Sequence, residues 1–193
     1  MASAAAHRLR RASATGQMSL GIDLDVAPPA AASGDVLEAV AAHVRRVFTP
    51  DRDPWEHSPY RWIKDLAPAR RSKAGALIVE YWLRAAGLDP SKVRGQSADM
   101  TVTGHNVTVK LSTLWETGQY HFQAVTGSAP TLALVGVRPD GLDLWLLPTA
   151  TAAGHLDHGK AGWVTIDAAR PAAWVEDHRA TAALARAYLG GPA

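Results

Sequence analysis

The sequence predicts an α/β sandwich in which a mixed central sheet of about four or five strands is flanked by helices. Three observations support this. Two segments, about 36–48 and 72–86, repeat apolar residues at helical spacing. Two pairs of β-rich runs, 98–112 and 131–147, are each interrupted by a turn signal. A last segment, 172–189, returns to a helical pattern. With a short helix expected within 114–125, the order is α-α-β-β-α-β-β-α, which packs as helices against a sheet.

Along the chain, residues 1–34 are rich in Ala, Ser and Pro, with HRLRR near the start, and read as a flexible tail preceding a single domain at 35–193. Asp35 is placed to cap a helix over 36–48, apolar at Val36, Val40, Val44 and Val47. The stretch TPDRDPWEHSPY ends it. A second helix opens near Ser72 and runs through Ala86, stopped by Gly87 and Pro90, with Leu77, Ile78, Tyr81, Trp82 and Ala85 as its expected buried stripe. Thr131–Val137 and Leu142–Leu147 read as strands joined at Pro139-Asp140-Gly141. Residues 154–160 read as a loop and 162–166 as a short strand. Most of the seven tryptophans suit a core, Trp62 and Trp115 being the exceptions.

A chain of 193 residues can bury a real core, and 47% hydrophobic with 20% charged residues is a globular balance. Without cysteine there is no disulfide framework and no thiolate metal site, which fits a reducing, cytoplasmic setting. No apolar run approaches the ~20 residues of a membrane span. A net charge of +2 leans only slightly toward polyanions. Its distribution says more. Arg61, Lys64, Arg70, Arg71 and Lys73 fall within thirteen residues beside Tyr60 and Trp62, a grouping that suits a DNA backbone or, equally, a solvated basic helix entrance.

The hairpin ADMTVTGHNVTVKLS comes closest to a chemistry. With Gly104-His105 as its two-residue connection, counting outward pairs Val102 with Val107, Thr101 with Thr108, Met100 with Val109 and Asp99 with Lys110. Alternation then gives an apolar face of Met100, Val102, Val107, Val109 and Leu111. Asp99 and Lys110 meet on the other. One reading is a cross-strand ion pair worth ~0.2–1 kcal/mol. The other is a metal site for phosphodiester hydrolysis, in which Asp99 holds a cation and Lys110 orients water or offsets phosphate charge. Only five of the twenty cationic residues are lysines, so a lysine at this position is less easily an incidental choice of base.

The segments SPYRWIKDL, SKAGALIVEYWLRAAG, ADMTVTGHNVTVKLSTLWETGQYHFQAV and LDLWLLP together resemble a branch of the restriction-endonuclease-like PD-(D/E)xK superfamily. The resemblance covers about 58–148, and STLWE-x-GQY-x-FQ is its most specific part. It implies a Mg²⁺- or Mn²⁺-dependent DNA endonuclease with a mixed sheet, is compatible with a homodimer, and expects a Gln-rich helix bearing Gln119 and Gln123 as DNA contacts. Asp99 matches the family aspartate and Lys110 the motif lysine. Thr108 stands where the motif's acid belongs, and Ala76 stands where the first helix would offer a glutamate after Gly75. Asp99 and the Val109 carbonyl would then hold the cation with the scissile phosphate. Glu80, one turn from Ala76 on the same helix face, would restore a carboxylate or would be a helix-edge glutamate. The alternative is a catalytically degenerate relative that binds DNA or a partner protein. His155 and His158 around Asp157 have metal-ligand spacing but read as an exposed loop. Glu116, about 20 Å along the strand from Lys110, reads as structural or close to DNA.

Overall fold

The computed structural model describes residues 53–93, 98–127, 129–160 and 162–191, together with Ala41 and Arg45. The chain divides into two units, residues 1–52 and 53–193. Ala41 and Arg45 of the first are both helical. The expected tail and the rest of the 36–48 helix lie outside the described residues.

The second unit begins with a short helix α1 (Arg61–Lys64) and the long helix α2 (Pro68–Ala85). Pro68 suits the first turn of α2, where its missing N–H is no loss, so the helix starts four residues before the Ser72 expected from sequence. Its end is a Schellman motif around Gly87 at φ +82°: Gly87 N–H donates to Arg84 O at 2.9 Å and Leu88 N–H to Leu83 O at 3.0 Å.

The main sheet contains β1 (Pro90–Lys92), β2 (Met100–Val102), β3 (His105–Thr113), β5 (Thr131–Arg138) and β6 (Gly141–Pro148), in the order β1-β2-β3-β5-β6. β3 and β5 are parallel and every other neighbouring pair is antiparallel. A separate antiparallel ribbon joins β4 (Gln119–Phe122) to β7 (Val164–Asp167). The remaining helices are α3 (Thr149–Ala153), α4 (Ala173–Glu176) and α5 (Ala182–Leu189). This is the expected α/β sandwich with a mixed, five-stranded sheet.

The alternation of β5 separates two cores. Ala133, Val135 and Val137 pack with Val79 and Leu83 of α2, Met100 and Val102 of β2, Val107 and Val109 of β3, and Ala185 and Leu189 of α5. Leu132 and Leu134 pack on the other face with Tyr120, Phe122, Trp145, Leu147, Val164 and Ile166. α2 sits down on β3 at Gly75, where an added Cβ would lie 3.0 Å from Leu111 Cβ. That approach fixes the rotation of the helix. Gly75, Val79 and Leu83 form the buried line, Ile78 and Trp82 flank it, and Tyr81 is 69% exposed. The stripe expected from sequence is therefore turned, because α2 carries apolar residues around much of its circumference and only the contact at Gly75 selects the inward direction.

Two other elements differ from expectation. Residues 114–125 do not form a helix. Tyr120 and Phe122 are both fully buried, a period-two pattern that makes β4 a strand laid over the sheet. The closing segment is two helices, because residues 178–180 run beside β6: Leu146 N–H donates to His178 O and Ala180 N–H to Leu144 O. Thr181 then caps α5, its Oγ1 accepting from Leu184 N–H at 3.0 Å. β1, not foreseen, is a short edge strand opened by Pro90, a position that tolerates a missing donor.

Candidate functional site

The β2–β3 hairpin turns at Thr103-Gly104, both at positive φ (49° and 87°), and pairs Val102 with His105, Thr101 with Asn106 and Met100 with Val107. Expectation placed the turn one residue later and opposed Asp99 to Lys110; the observed register does not. A two-residue turn of this hand needs positive φ at both central positions and favours Gly at the second, the place Gly104 takes. The register moves by two residues. The inward set Met100, Val102, Val107 and Val109 therefore survives intact.

At the end of β2 two successive residues oppose one. Val107 pairs with Met100, and its carbonyl also accepts the Asp99 N–H at 3.0 Å. This local bulge releases Asp99 from regular alternation. Its carboxylate reaches the edge of β3, where Oδ2 accepts the Val109 N–H at 2.7 Å. In an antiparallel ladder the N–H and C=O of one residue serve the same edge, so the Val109 carbonyl points to the side where Asp99 sits. Lys110 follows, half-buried and without an ion pair among the described residues. It alternates with Val109 and so lies on the ribbon side of the sheet with Thr108 and Ser112.

The chain after β3 doubles back over that side. Ser112 Oγ accepts the His121 N–H at 2.9 Å, and a Cβ at Gly127 would lie 3.9 Å from Thr108 Oγ1. The stretch around Gln123 thus spans the strand at the level of Lys110, between these two contacts. Gln119 and Gln123 are not a helical turn apart. Gln119 opens β4 and Gln123 follows its end, exposed.

Glu80 lies on α2 at the margin of the buried face and is half-buried. Its Oε1 pairs with Arg84 Nη2 at 3.3 Å, and Arg84 also binds Asp89 at 3.1 Å and the Pro90 carbonyl at 3.0 Å. Among the described residues no group of three or more His, Asp or Glu side chains is arranged to hold a metal ion.

The five cations expected at DNA fall into three groups. Arg61 and Lys64 pair with Asp53 at 3.3 and 3.7 Å, and Lys64 sits over the Trp55 ring at 5.3 Å. The backbone N–H of Trp55, together with Lys64 and Arg61, holds the Asp53 carboxyl below its usual range. Arg71 is a tether, its Nη2 donating to the carbonyls of Lys64 (2.7 Å) and Leu66 (3.0 Å). Arg70 and Lys73 are exposed on α2 and pair with no described residue. Trp62 and Trp115 are exposed at 55% and 50%, as expected.

A further constellation escaped the sequence reading. The His121 ring lies on the outward face of β4, its Nδ1 2.9 Å from Thr165 Oγ1, whose hydroxyl donates to Asp157 Oδ2 at 2.6 Å. Trp115 meets the ring edge-on at 4.5 Å, and Trp163 lies at 6.4 Å with Lys160 5.2 Å from its centroid. Burial and the Lys160 charge push the imidazole below its ordinary pKa against the opposing pull of Asp157. The signal was present in the alternation of Tyr120, His121 and Phe122, but only for a strand. His155, by contrast, stacks on Trp174 at 4.3 Å and joins no metal cluster.

No protein family matches the chain, and no curated protein matches it. Among solved structures, that of a bacterial homing endonuclease, I-Ssp6803I, is similar with a TM-score of 0.42 and 12% identity, over 58% of this chain and 86% of that one. A likeness of that degree assigns neither activity nor residues. Among the described residues no helix is long and apolar enough to cross a membrane.

Proposed function

We propose that the protein is a divalent-metal-dependent endonuclease that hydrolyses the DNA backbone. The observation that carries this reading is the Asp99 carboxylate on the edge of β3, 2.7 Å from the Val109 N–H, with Lys110 the next residue. The resemblance to PD-(D/E)xK nucleases implies these three positions as the metal-holding aspartate, the residue before the lysine and the lysine itself. The donors suit a hard cation, since a carboxylate and a carbonyl are oxygen ligands. Asp99 and the Val109 carbonyl would hold Mg²⁺ or Mn²⁺, and Glu80 would contribute a second carboxylate on release from Arg84. The cation, when bound, stabilises negative charge on the phosphate. Lys110 would orient the attacking water and offset charge as the phosphate becomes pentavalent. Arg70 and Lys73 would meet the DNA backbone, with Arg61 and Lys64 exchanging Asp53 for phosphate; Gln119 and Gln123 would bond phosphates or base edges.

A second reading has its own support. Thr108 and Ala76 occupy two acid positions of the motif, and Glu80 is already committed to Arg84. A protein that binds DNA without cutting it is consistent with both. Calorimetry with Mg²⁺ and Mn²⁺, followed by incubation with supercoiled plasmid, separates the two. The nuclease reading expects metal binding and nicked or linear product, lost in Asp99→Asn and Lys110→Ala. Intact plasmid and no heat of metal binding would replace it with the non-cutting one.

A further inference from the structure

We propose that the outward face of the β4–β7 ribbon binds an unpaired nucleotide of single-stranded DNA, the base stacking on Trp115, its N–H edge bonding to His121 Nε2 and its phosphate meeting Lys160. The choice of a nucleic acid ligand rests on the reading of the chain as a DNA enzyme; the site is separate from Asp99 and Lys110.

The ribbon has one face in the core and one outside it. Tyr120, Phe122, Val164 and Ile166 are buried against the sheet, so Gln119, His121, Thr165 and Asp167 point the other way. On that outer face the hydrogen bonds fix a protonation state. Thr165 gives its proton to Asp157, so its oxygen can only accept, and His121 Nδ1 must be the donor. The burial and the Lys160 charge that lower the imidazole pKa keep the ring neutral. Nε2 therefore carries a lone pair. It has no hydrogen-bond partner among the described residues, and it is not one of the buried unpartnered polar atoms. It is an acceptor that the described residues do not fully enclose.

Three groups then match three parts of one ligand. Trp115 offers a half-exposed ring beside His121, and any base can stack on an indole. A neutral imidazole acceptor suits an N–H on the Watson–Crick edge, which every base presents only when unpaired. Lys160 supplies a cation beside Trp163. Of the carboxylates beside this face, Asp157 accepts from Thr165 and Asp167 Oδ1 accepts the N–H groups of Ala169 and Arg170, each at 2.9 Å, while Glu116, the residue after Trp115, is exposed to solvent. Gln119 extends the same face at one end.

The test uses the full chain in EDTA, so that cleavage cannot intervene. Fluorescence anisotropy measures binding of a labelled oligo-dA strand, alone and annealed to oligo-dT. The expected result is binding of the single strand that weakens about 5- to 150-fold in Trp115→Ala. Lys160→Ala should lower the salt dependence of the same interaction. Neither variant should alter duplex affinity, and both side chains are exposed enough to be removed without unfolding, as circular dichroism would verify. Failure of the wild type to bind the single strand, or unchanged binding in Trp115→Ala, overturns the inference. If duplex plasmid is cut while Trp115→Ala binds single strands normally, this inference falls alone. If the single-strand result holds and no plasmid is cut, the endonuclease reading falls and this one stands.

Discussion

Tyr120 donates its hydroxyl to Asp143 Oδ2 at 2.8 Å, joining the β4–β7 ribbon to β6 through two side chains that are themselves buried. Arg179 Nη1 binds the other carboxylate oxygen at 2.9 Å, and its guanidinium also grips Glu176 and lies over the Trp145 ring at 5.3 Å. The buried carboxylate therefore has a phenol and a cation as partners, which offsets much of its desolvation. Burial and the Asp143 charge push the Tyr120 hydroxyl well above its usual pKa, so it remains a donor. The ring fits only because β5 presents Gly136 beneath it: a Cβ there would lie 2.6 Å from two ring carbons. Gly136→Ala should destabilise by about 1–3 kcal/mol, and Tyr120→Phe by about 1.5–3 kcal/mol through the lost bond to a charged acceptor. Urea denaturation measures both. A Gly136→Ala protein as stable as the wild type would mean that Tyr120 packs elsewhere.

The hairpin turn gives a prediction of opposite sign at adjacent residues. Thr103 is β-branched and held at φ 49°, a conformation that Asn tolerates far better. Thr103→Asn should stabilise by up to about 1 kcal/mol, whereas Gly104→Ala, at φ 87°, should destabilise by about 1–2 kcal/mol. If the connection were Gly104-His105 instead, Thr103→Asn would have no such benefit. Thermal melts of the two variants decide the register without a new structure.

What could be read from the sequence follows from what a strand preserves. The inward valines of β3 were legible because a register shift of two residues leaves their face unchanged. Their partner was not, because the bulge at Asp99 leaves no mark in a hydrophobic pattern. The β4 segment was misread because Gln119 and Gln123 fit a helical spacing, and four residues of QYHF are too few to establish period two against it. The face of α2 depended on Gly75, whose close contact with Leu111 is tertiary. Tryptophan exposure at Trp62 and Trp115 was read correctly because both sit among polar or turn residues. Asp99, Val109 and Lys110 were singled out in sequence, and Asp99 and Val109 are joined in the fold, though through the backbone N–H of Val109 and not through a pairing of Asp99 with Lys110.

Histidine 121 gives stability a pH dependence. Its pKa in the folded protein lies below the ordinary 6.5, so between these values the unfolded chain binds more protons than the native one. Stability from this group is complete above 6.5 and declines as pH falls from there to the depressed folded value. The melting temperature should fall over this interval, and His121→Gln should flatten the fall. Nitrogen NMR of the ring should show Nδ1 protonated and Nε2 bare near neutral pH. Protonated Nε2 with bare Nδ1 would reverse the direction of the Thr165 hydrogen bond.

The last prediction separates cations that hold the fold from cations available to DNA. Arg71 spends its guanidinium on the carbonyls of Lys64 and Leu66, at the junction of α1 and α2, so Arg71→Ala should cost about 1–3 kcal/mol of stability. Arg70 and Lys73 project from the first turns of α2 with no described partner, and nothing in the fold should change when they are removed. Each phosphate contact they make releases counterions, lowering the slope of log K against log salt by about 0.9. The double variant Arg70→Ala/Lys73→Ala should therefore reduce the duplex-binding slope by about 1.8 while melting like the wild type. Arg61 and Lys64 should contribute less, since binding DNA requires them to leave Asp53. An unchanged slope in the double variant would move the duplex contact away from this edge of α2.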